Sequence, residues 1–370
     1  MRRNQIFLLT FFLLLILPAL DSIFHFSPVK DLFEKRLPVP KPDLPHNFSE
    51  AKKFPQNFEK FFNDNYGFRK TLIAINSDVM DDIFGESPDA RAVIGKDGWL
   101  FFDNQNSLLD ASGKAEISDE LIARGVRSFG ENWQKMRAKN IDYLLVIAAD
   151  KSSIYPEFLP SYIRPGRHHR IDKFLVALRE KYPDFPVLDL REVLKKAKEI
   201  EVVYHKTDTH WNNIGAHYGY VEIMKILSQK DKKLIPHLRQ DFTEKFAGFV
   251  RGDIALIMNS SNGDLIYSFL PKFNRDFYFV KPSEADKIKF RKPVFFAKNE
   301  KNLPKIFVYN DSFFGNLFWL ISDHFSQSFF AHETPCDLNY ETIKNLHPNF
   351  VIQEFWEGRL ELVLSGCLTK

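Results

Sequence analysis

At 370 residues the chain is long enough for one large domain or two ordinary ones. A 44% hydrophobic and 27% charged composition implies a packed globular body. The net charge of +3 is interspersed along the chain, which lacks the basic stripe a nucleic-acid partner requires. The two cysteines, Cys336 and Cys367, form no Cys-x-x-Cys pair, so a thiolate zinc knuckle is excluded. Whether they bridge depends on compartment and on spatial proximity. The 38 phenylalanines are spread along the chain and read mostly as core.

Taken in chain order, Met1-Arg2-Arg3-Asn4-Gln5 is short and basic, and residues 6–20 are almost wholly apolar, broken by Thr10 and Pro18. This is the layout of a secretory signal or signal anchor, with the remainder of the chain exported. After Asp21 and Ser22, the run Ile23-Phe24-His25-Phe26 extends the span, and Leu17-Pro18-Ala19 is a poor cleavage site. An uncleaved anchor over residues 1–26 is therefore preferred to a cleaved signal peptide. Residues 27–50 are rich in proline and lysine and read as an extended linker. The main domain is expected from 51 to 370.

Helical stretches at about 49–62 and 70–82 come next. Val93-Ile94-Gly95-Lys96-Asp97-Gly98-Trp99-Leu100-Phe101-Phe102 reads as a β-hairpin turning at Lys-Asp-Gly. Ser118 caps a helix over about 119–138. Tyr143-Leu144-Leu145-Val146-Ile147-Ala148-Ala149 suits a strand buried on both faces. The polar cluster Asp150-Lys151-Ser152-Ser153 lies at its C-terminal end, where ligand sites of open α/β sheets gather, unless it is a solvated loop. Helix 171–182, strand 187–190, helix 191–198 and strand 202–204 follow. This alternation signals an α/β layered domain. Residues 235–300 change pattern and read as a β-rich insertion whose readable strands are 277–280 and 294–297. The rhythm returns with strand 305–309, a helix over about 313–324 and a last strand at 350–355.

Two segments carry chemistry. Thr207-Asp208-Thr209-His210-Trp211-Asn212-Asn213 sets a carboxylate two residues before an imidazole, between strand 202–204 and a helix over about 213–227. Such a pair can be the base half of a nucleophilic site. If the segment is extended, spacing by two lets both side chains face one cleft. Tyr309-Asn310-Asp311-Ser312-Phe313 offers the other half, a serine at a strand-to-helix turn where free N–H groups await an oxyanion. Gly-x-Ser-x-Gly is absent. The bland alternatives are that Asp311 or Ser312 only caps a helix and that His210 is a core histidine. A metal set of His205, Asp208, His210 and His217 is the other alternative.

These segments, with the hairpin at 93–102 and the stretches Asp150-Lys151-Ser152-Ser153-Ile154-Tyr155-Pro156-Glu157-Phe158-Leu159-Pro160 and Phe62-Asn63-Asp64-Asn65-Tyr66-Gly67-Phe68-Arg69, resemble the alginate O-acetyltransferase family of SGNH hydrolase-like proteins over about residues 54–358. The resemblance implies a flavodoxin-like α/β/α domain with the Asp-His pair preceding the serine. It implies catalytic Asp208, His210 and Ser312. Trp211, which reads as packing beside the site, is set with Lys151, Asn310 and Arg359 on the substrate side, and no cofactor or metal is expected. It further implies a periplasmic protein held at the inner membrane, within a cell-envelope biosynthetic complex. There it would take acetyl groups from a multi-span membrane acyltransferase and transfer them, through an acetyl-serine, to an exported polysaccharide. Asn310 stands where the family often has glycine. The late Glu-Arg pair is replaced by Glu357-Gly358-Arg359. A carbohydrate acetylesterase and a non-catalytic polysaccharide-binding scaffold are the rival functions.

Overall fold

The computed structural model describes residues 3–27, 38–84, 86–283, 292–298, 300 and 302–367. The chain forms two compact units, Met1–Ala92 with Asp253–Asn262, and Val93–Gly252 with Gly263–Lys370.

In the first unit, α1 (Arg3–Phe24) carries the N-terminal apolar run. Its stretch Asn4–Phe24 is long and apolar enough to cross a membrane, and almost none of it is buried against protein. The boundary expected at residue 50 falls inside α2 (Phe48–Asn65). Asn47 caps that helix by accepting from the Glu50 N–H at 3.0 Å, while the Glu50 carboxylate takes the His46 N–H at 2.8 Å. Part of the linker segment, residues 28–37, lies outside the described residues; residues 38–45 have no regular secondary structure, and the segment's last residues enter α2. There Asn65 Nδ2 donates to the Val39 carbonyl and the Val39 N–H to Asp64 Oδ2, both at 3.0 Å. The helix expected at 70–82 is α3 (Arg69–Asp78), continued by a π-helical turn, Val79–Phe84.

The second unit begins at the expected hairpin, β1 (Ala92–Ile94) and β2 (Leu100–Phe102). Asp97 and Gly98 both take left-handed backbone in its turn (φ 54° and 78°), which aspartate tolerates and glycine favours. After α4 (Ser107–Ala111), Ser118 caps α5 (Asp119–Arg137) by accepting from the Leu121 N–H at 3.2 Å. The alternation then runs β3 (Asp142–Ala148), α6 (Lys151–Ile154), α7 (Arg170–Lys181), β4 (Val187–Asp189), α8 (Arg191–Lys198) and α9 (Asn213–Lys230). The strand expected at 202–204 is reduced to one antiparallel bridge between Tyr204 and Trp211. That bridge closes the Asp208/His210 segment into a compact loop, so the segment is bent and not extended.

In the expected β-rich stretch, β5 (Phe242–Val250) and β6 (Asp264–Pro271) pair as a separate antiparallel ribbon. β7 (Tyr278–Val280) and β8 (Val294–Ala297), the two strands legible in sequence, instead extend the main sheet. Then come β9 (Lys305–Tyr309), β10 (Gln327–Ala331) and β11 (Phe350–Trp356). The helix expected at 313–324 is a 3₁₀ turn, Ser312–Leu317, followed by the helix Phe318–Ser322.

The main sheet has the order β4-β3-β11-β9-β10-β8-β7. Its first five strands are parallel, and β8 joins β10 antiparallel. In order of appearance these five read 2-1-5-3-4, so the last strand inserts between the first and the third. Alternate residues of β3 serve opposite cores. Leu144, Val146 and Ala148 pack toward α8 and α9, whereas Tyr143, Leu145 and Ile147 pack toward α5 and α7. This two-faced burial explains the unbroken apolar runs and makes an α/β/α sandwich.

Cys336 and Cys367 form a disulfide (Cα–Cα 4.9 Å, 31 residues apart) on the α5/α7 side. Closing a loop of that length stabilises by about 3–4 kcal/mol on chain-entropy grounds. Paired serine substitutions at both positions are expected to lower the unfolding free energy by about 2–4 kcal/mol. Denaturant titration measures it, and an unchanged midpoint would show that the bridge contributes nothing.

Candidate active site

The C-terminal ends of three adjacent parallel strands build the site. β9 leads into Asn310-Asp311-Ser312, β11 into Glu357, and β3 into Asp150. His210 Nε2 lies 2.8 Å from Ser312 Oγ, and its Nδ1 lies 2.7 Å from Asp208 Oδ1. The same Oδ1 accepts the His210 backbone N–H at 2.9 Å, which fixes the two side chains as a unit. A carboxylate on Nδ1 places the proton there and leaves Nε2 as the acceptor for the serine hydroxyl. The Asp208 and His210 side chains are about a quarter exposed, at 24% and 25%, and Ser312 is open to solvent. The structure thus brings together three residues that are separated by 104 positions in sequence.

Ser312 is held from beneath. Asp311, buried, accepts the Phe313 N–H on Oδ1 (2.9 Å) and the Trp356 N–H on Oδ2 (2.8 Å). Asp311 is therefore the cap that the sequence allowed for, and the Ser312 hydroxyl is not used for capping. The Phe313 amide is committed to that cap, whereas the Ser312 amide has no hydrogen-bond acceptor among the described residues. It is the available oxyanion donor. The Asp311 N–H donates to Glu354 Oε2 at 3.0 Å. Burial, and then the adjacent Asp311, push the Glu354 carboxyl well up. None of Asn310, Asp311 and Ser312 has a positive φ, so no strained elbow is present and asparagine replaces glycine at no backbone cost.

The loop at 205–210 is held from two sides. Lys151, itself buried, donates from Nζ to the carbonyls of His205 (3.2 Å), Lys206 (3.0 Å) and Asp208 (2.6 Å). Asp264 accepts the N–H groups of Lys206 (2.7 Å) and Thr207 (3.0 Å) and the Thr207 hydroxyl (2.5 Å). Gly252 donates its N–H to Thr207 Oγ1 at 3.0 Å and approaches so closely that a Cβ would stand 2.3 Å from the Thr207 carbonyl carbon. Sequence reading missed Asp264; its only signal is a turn-forming Asn262-Gly263 just before it.

Three of the four residues set on the substrate side turn inward. Trp211 is 1% exposed and donates its indole N–H to the Phe313 carbonyl at 3.1 Å, so it ties the histidine loop to the serine turn. Lys151 is spent on the loop carbonyls, as described. Asn310 is fully buried, its Nδ2 donating to the Asp311 carbonyl at 2.7 Å. None of the three presents surface to a polymer. Arg359 is partly exposed beyond β11, with its charge near Glu354. Of the alternative metal set, His217 points elsewhere, with Nε2 3.0 Å from the His237 carbonyl.

Behind the site, Glu357 Oε1 accepts the Asp150 N–H at 2.5 Å, and Arg191 lies 3.7 Å from its other oxygen. Burial pushes Glu357 up to about 8, with Arg191 opposing and Asp150 adding to the rise.

A parallel sheet carrying Ser, His and Asp at its C-terminal edge defines the class, an SGNH hydrolase-like fold. Residues 92–263 match the family model for the SGNH hydrolase-like domain of the acetyltransferase AlgX. The probable alginate O-acetylase AlgJ of Pseudomonas aeruginosa is 31% identical over 125 residues, covering 34% of this chain and 30% of that protein. AlgJ of Azotobacter vinelandii is 25% identical over 160 residues, 43% of this chain and 39% of that protein. The chain thus spans less than half the length of these curated relatives. Bacillus cereus PatB1 shares the fold at a TM-score of 0.53 and 19% identity, covering 71% of this chain and 95% of that one. So does a DHHW family protein from Eubacterium siraeum, at 0.51 and 16%, covering 75% and 99%. The family-model and AlgJ matches are a likeness to alginate O-acetyltransferases over part of this chain, and the two solved structures show the fold.

Two outcomes follow from the clamp and the buried acids. Lys151→Met removes the ammonium from the carbonyls of His205, Lys206 and Asp208, of which Lys206 keeps the Leu100 N–H at 2.9 Å, and is expected to slow covalent labelling of Ser312 by a fluorophosphonate on the order of 10²-fold, the usual cost of a misplaced base. Labelling at the wild-type rate in a folded variant would dismiss the clamp. The fold stabilises protonated Glu357, a contribution whole below its ordinary value of 4.5 and lost as pH rises through about 8. Across that window wild-type Tm is expected to fall relative to Glu357→Gln; parallel melting curves would contradict it.

Proposed function

We propose that this chain is a serine-dependent O-acetyltransferase acting on an exported polysaccharide. The observation that carries the reading is the unbroken chain of hydrogen bonds from Asp208 through His210 to Ser312, at 2.7 and 2.8 Å. His210 Nε2 takes the Ser312 proton as Oγ bonds to the acyl carbonyl carbon. The oxyanion meets the Ser312 amide. Collapse expels the leaving group, which receives the proton from His210, and an acetyl-serine remains. A sugar hydroxyl then gives its proton to His210, attacks the ester and leaves as the acetylated sugar, returning Ser312 to its starting state. Asp208 stabilises the imidazolium in both halves.

Export and attachment rest on α1, whose composition suits a signal or an anchor. An uncleaved anchor at the inner membrane is favoured because α1 is hydrogen-bonded to the rest of its unit. Asp21 Oδ2 accepts the Phe68 N–H and Ser22 Oγ the Gly67 N–H, each at 2.7 Å. Coenzyme A is cytoplasmic, so the acetyl group must reach the site through a separate multi-span membrane acyltransferase in an envelope complex. The relatives named as alginate O-acetylases support a polysaccharide acceptor.

Ser312→Ala is expected to abolish acetyl transfer to polysaccharide while leaving the circular dichroism spectrum unchanged. Undiminished acetylation would refute the covalent route. Acetyl release to water with no transfer to any polysaccharide would identify an acetylesterase instead. Failure of a fluorophosphonate to label wild-type Ser312 would favour a binding scaffold.

A further inference from the structure

α2 is amphipathic along its whole length. Phe54, Phe58 and Phe62 recur every fourth residue and continue to Tyr66 just past its end. Their rings stack in series at centroid distances of 5.9, 6.5 and 6.2 Å, with Phe61 6.0 Å from Phe58. No residue of α2 is buried; Phe48, Phe58 and Phe62 are 88%, 43% and 54% exposed. A continuous aromatic stripe left in water is costly, at about 25 cal/mol for each Å² exposed. The opposite face carries Lys52, Lys53, Gln56, Asn57 and Lys60.

The position of α2 relative to the span identifies what covers this stripe. The turn at residues 66–68 that ends α2 is bolted to the last turn of α1 by the Asp21 and Ser22 hydrogen bonds. The contact is close enough that a Cβ on Gly67 would stand 2.0 Å from the Pro18 carbonyl oxygen. Phe26 and Phe68 stack edge-on across it at 5.4 Å. The C-terminal end of α2 is thus held at the level where the apolar span ends, which for a membrane-inserted α1 is the lipid–water boundary. We propose that α2 lies in that boundary as an interfacial helix, with Phe54, Phe58 and Phe62 in the acyl region and the lysine face toward water. α2 contains three lysines and three acids (Glu50, Glu59, Asp64), so its attachment is apolar and needs no anionic lipid. The proposal is independent of the catalytic reading.

The only two described cysteines are paired, so single cysteines can be introduced without competition. Full-length protein carrying Phe54→Cys, Phe58→Cys or Phe62→Cys, or on the other face Lys52→Cys, Gln56→Cys or Lys60→Cys, is labelled with bimane. It is then reconstituted alone, at low density, into phosphatidylethanolamine/phosphatidylglycerol vesicles containing doxyl-phosphatidylcholine. Quenching is expected to be several-fold stronger on the phenylalanine face, and unchanged when phosphatidylglycerol is replaced by phosphatidylcholine. Equal quenching on both faces would overturn the proposal. So would protection of the stripe that appears only as protein density rises, which would assign it to a second copy of the chain. Because α2 buries nothing, these substitutions leave the fold intact, which circular dichroism checks.

Discussion

The meeting of Asp208, His210 and Ser312 depends on holding still a six-residue loop that has no strand or helix of its own. Residues 205–210 are pinned on their carbonyl side by the buried Lys151 ammonium and on their amide side by the Asp264 carboxylate. A lysine placed among backbone carbonyls, and an acid among backbone amides, supply partners to a segment that has few from strand or helix pairing. Both sets of contacts are charge-assisted, and the shortest of them are 2.6 Å to the Asp208 carbonyl and 2.7 Å from the Lys206 amide. Trp211 then links the loop to the serine turn through the Phe313 carbonyl. The 2.8 Å approach of His210 to Ser312 is the product of these three restraints acting together.

A second layer of buried carboxylates supports the strand ends. Asp311 organises the serine turn and holds the last residue of β11, and Glu354 beneath it receives the Asp311 amide. Glu357 ties the end of β11 to the end of β3 through the Asp150 amide. Three neighbouring strands are thus stitched at the edge where the chemistry sits. These acids lie behind the reacting atoms and position them. Burial raises Glu354, Glu357 and Asp150 alike, so their neutral forms are the ones the fold favours.

Much of this was legible in the chain itself. The apolar runs at 143–149 and 305–309 are parallel-sheet strands because both of their faces are covered, and an amphipathic pattern would have been wrong there. The Asp-x-His spacing and the serine after a buried strand were readable as two halves of one site. What misled was local. Val202-Val203-Tyr204 has the composition of a strand, yet only Tyr204 pairs, because the backbone there is used to close a loop. Lys151 and Asn310 were set on the substrate side, but burial turns both inward; Trp211 packs beside the site, as its position suggested, and is closed to a polymer. The β5–β6 ribbon was missed because most of its residues are solvent-exposed and do not show a clear alternation.

By itself the sequence determined the alternation of strand and helix, the apolar N-terminal helix, and the two segments whose Asp208, His210 and Ser312 side chains the fold brings together, since these follow from local pattern and side-chain chemistry. Tertiary structure decided the rest. The strand order, which sets β11 between β3 and β9, brings three C-terminal ends together; no local pattern encodes it, because it depends on which edges pair across long separations. The disulfide, the grip of Lys151 and Asp264 on one loop, and the meeting of His210 with Ser312 are contacts between residues that are distant in sequence. Their formation is fixed by the packing of the whole unit, not by the residues that make them.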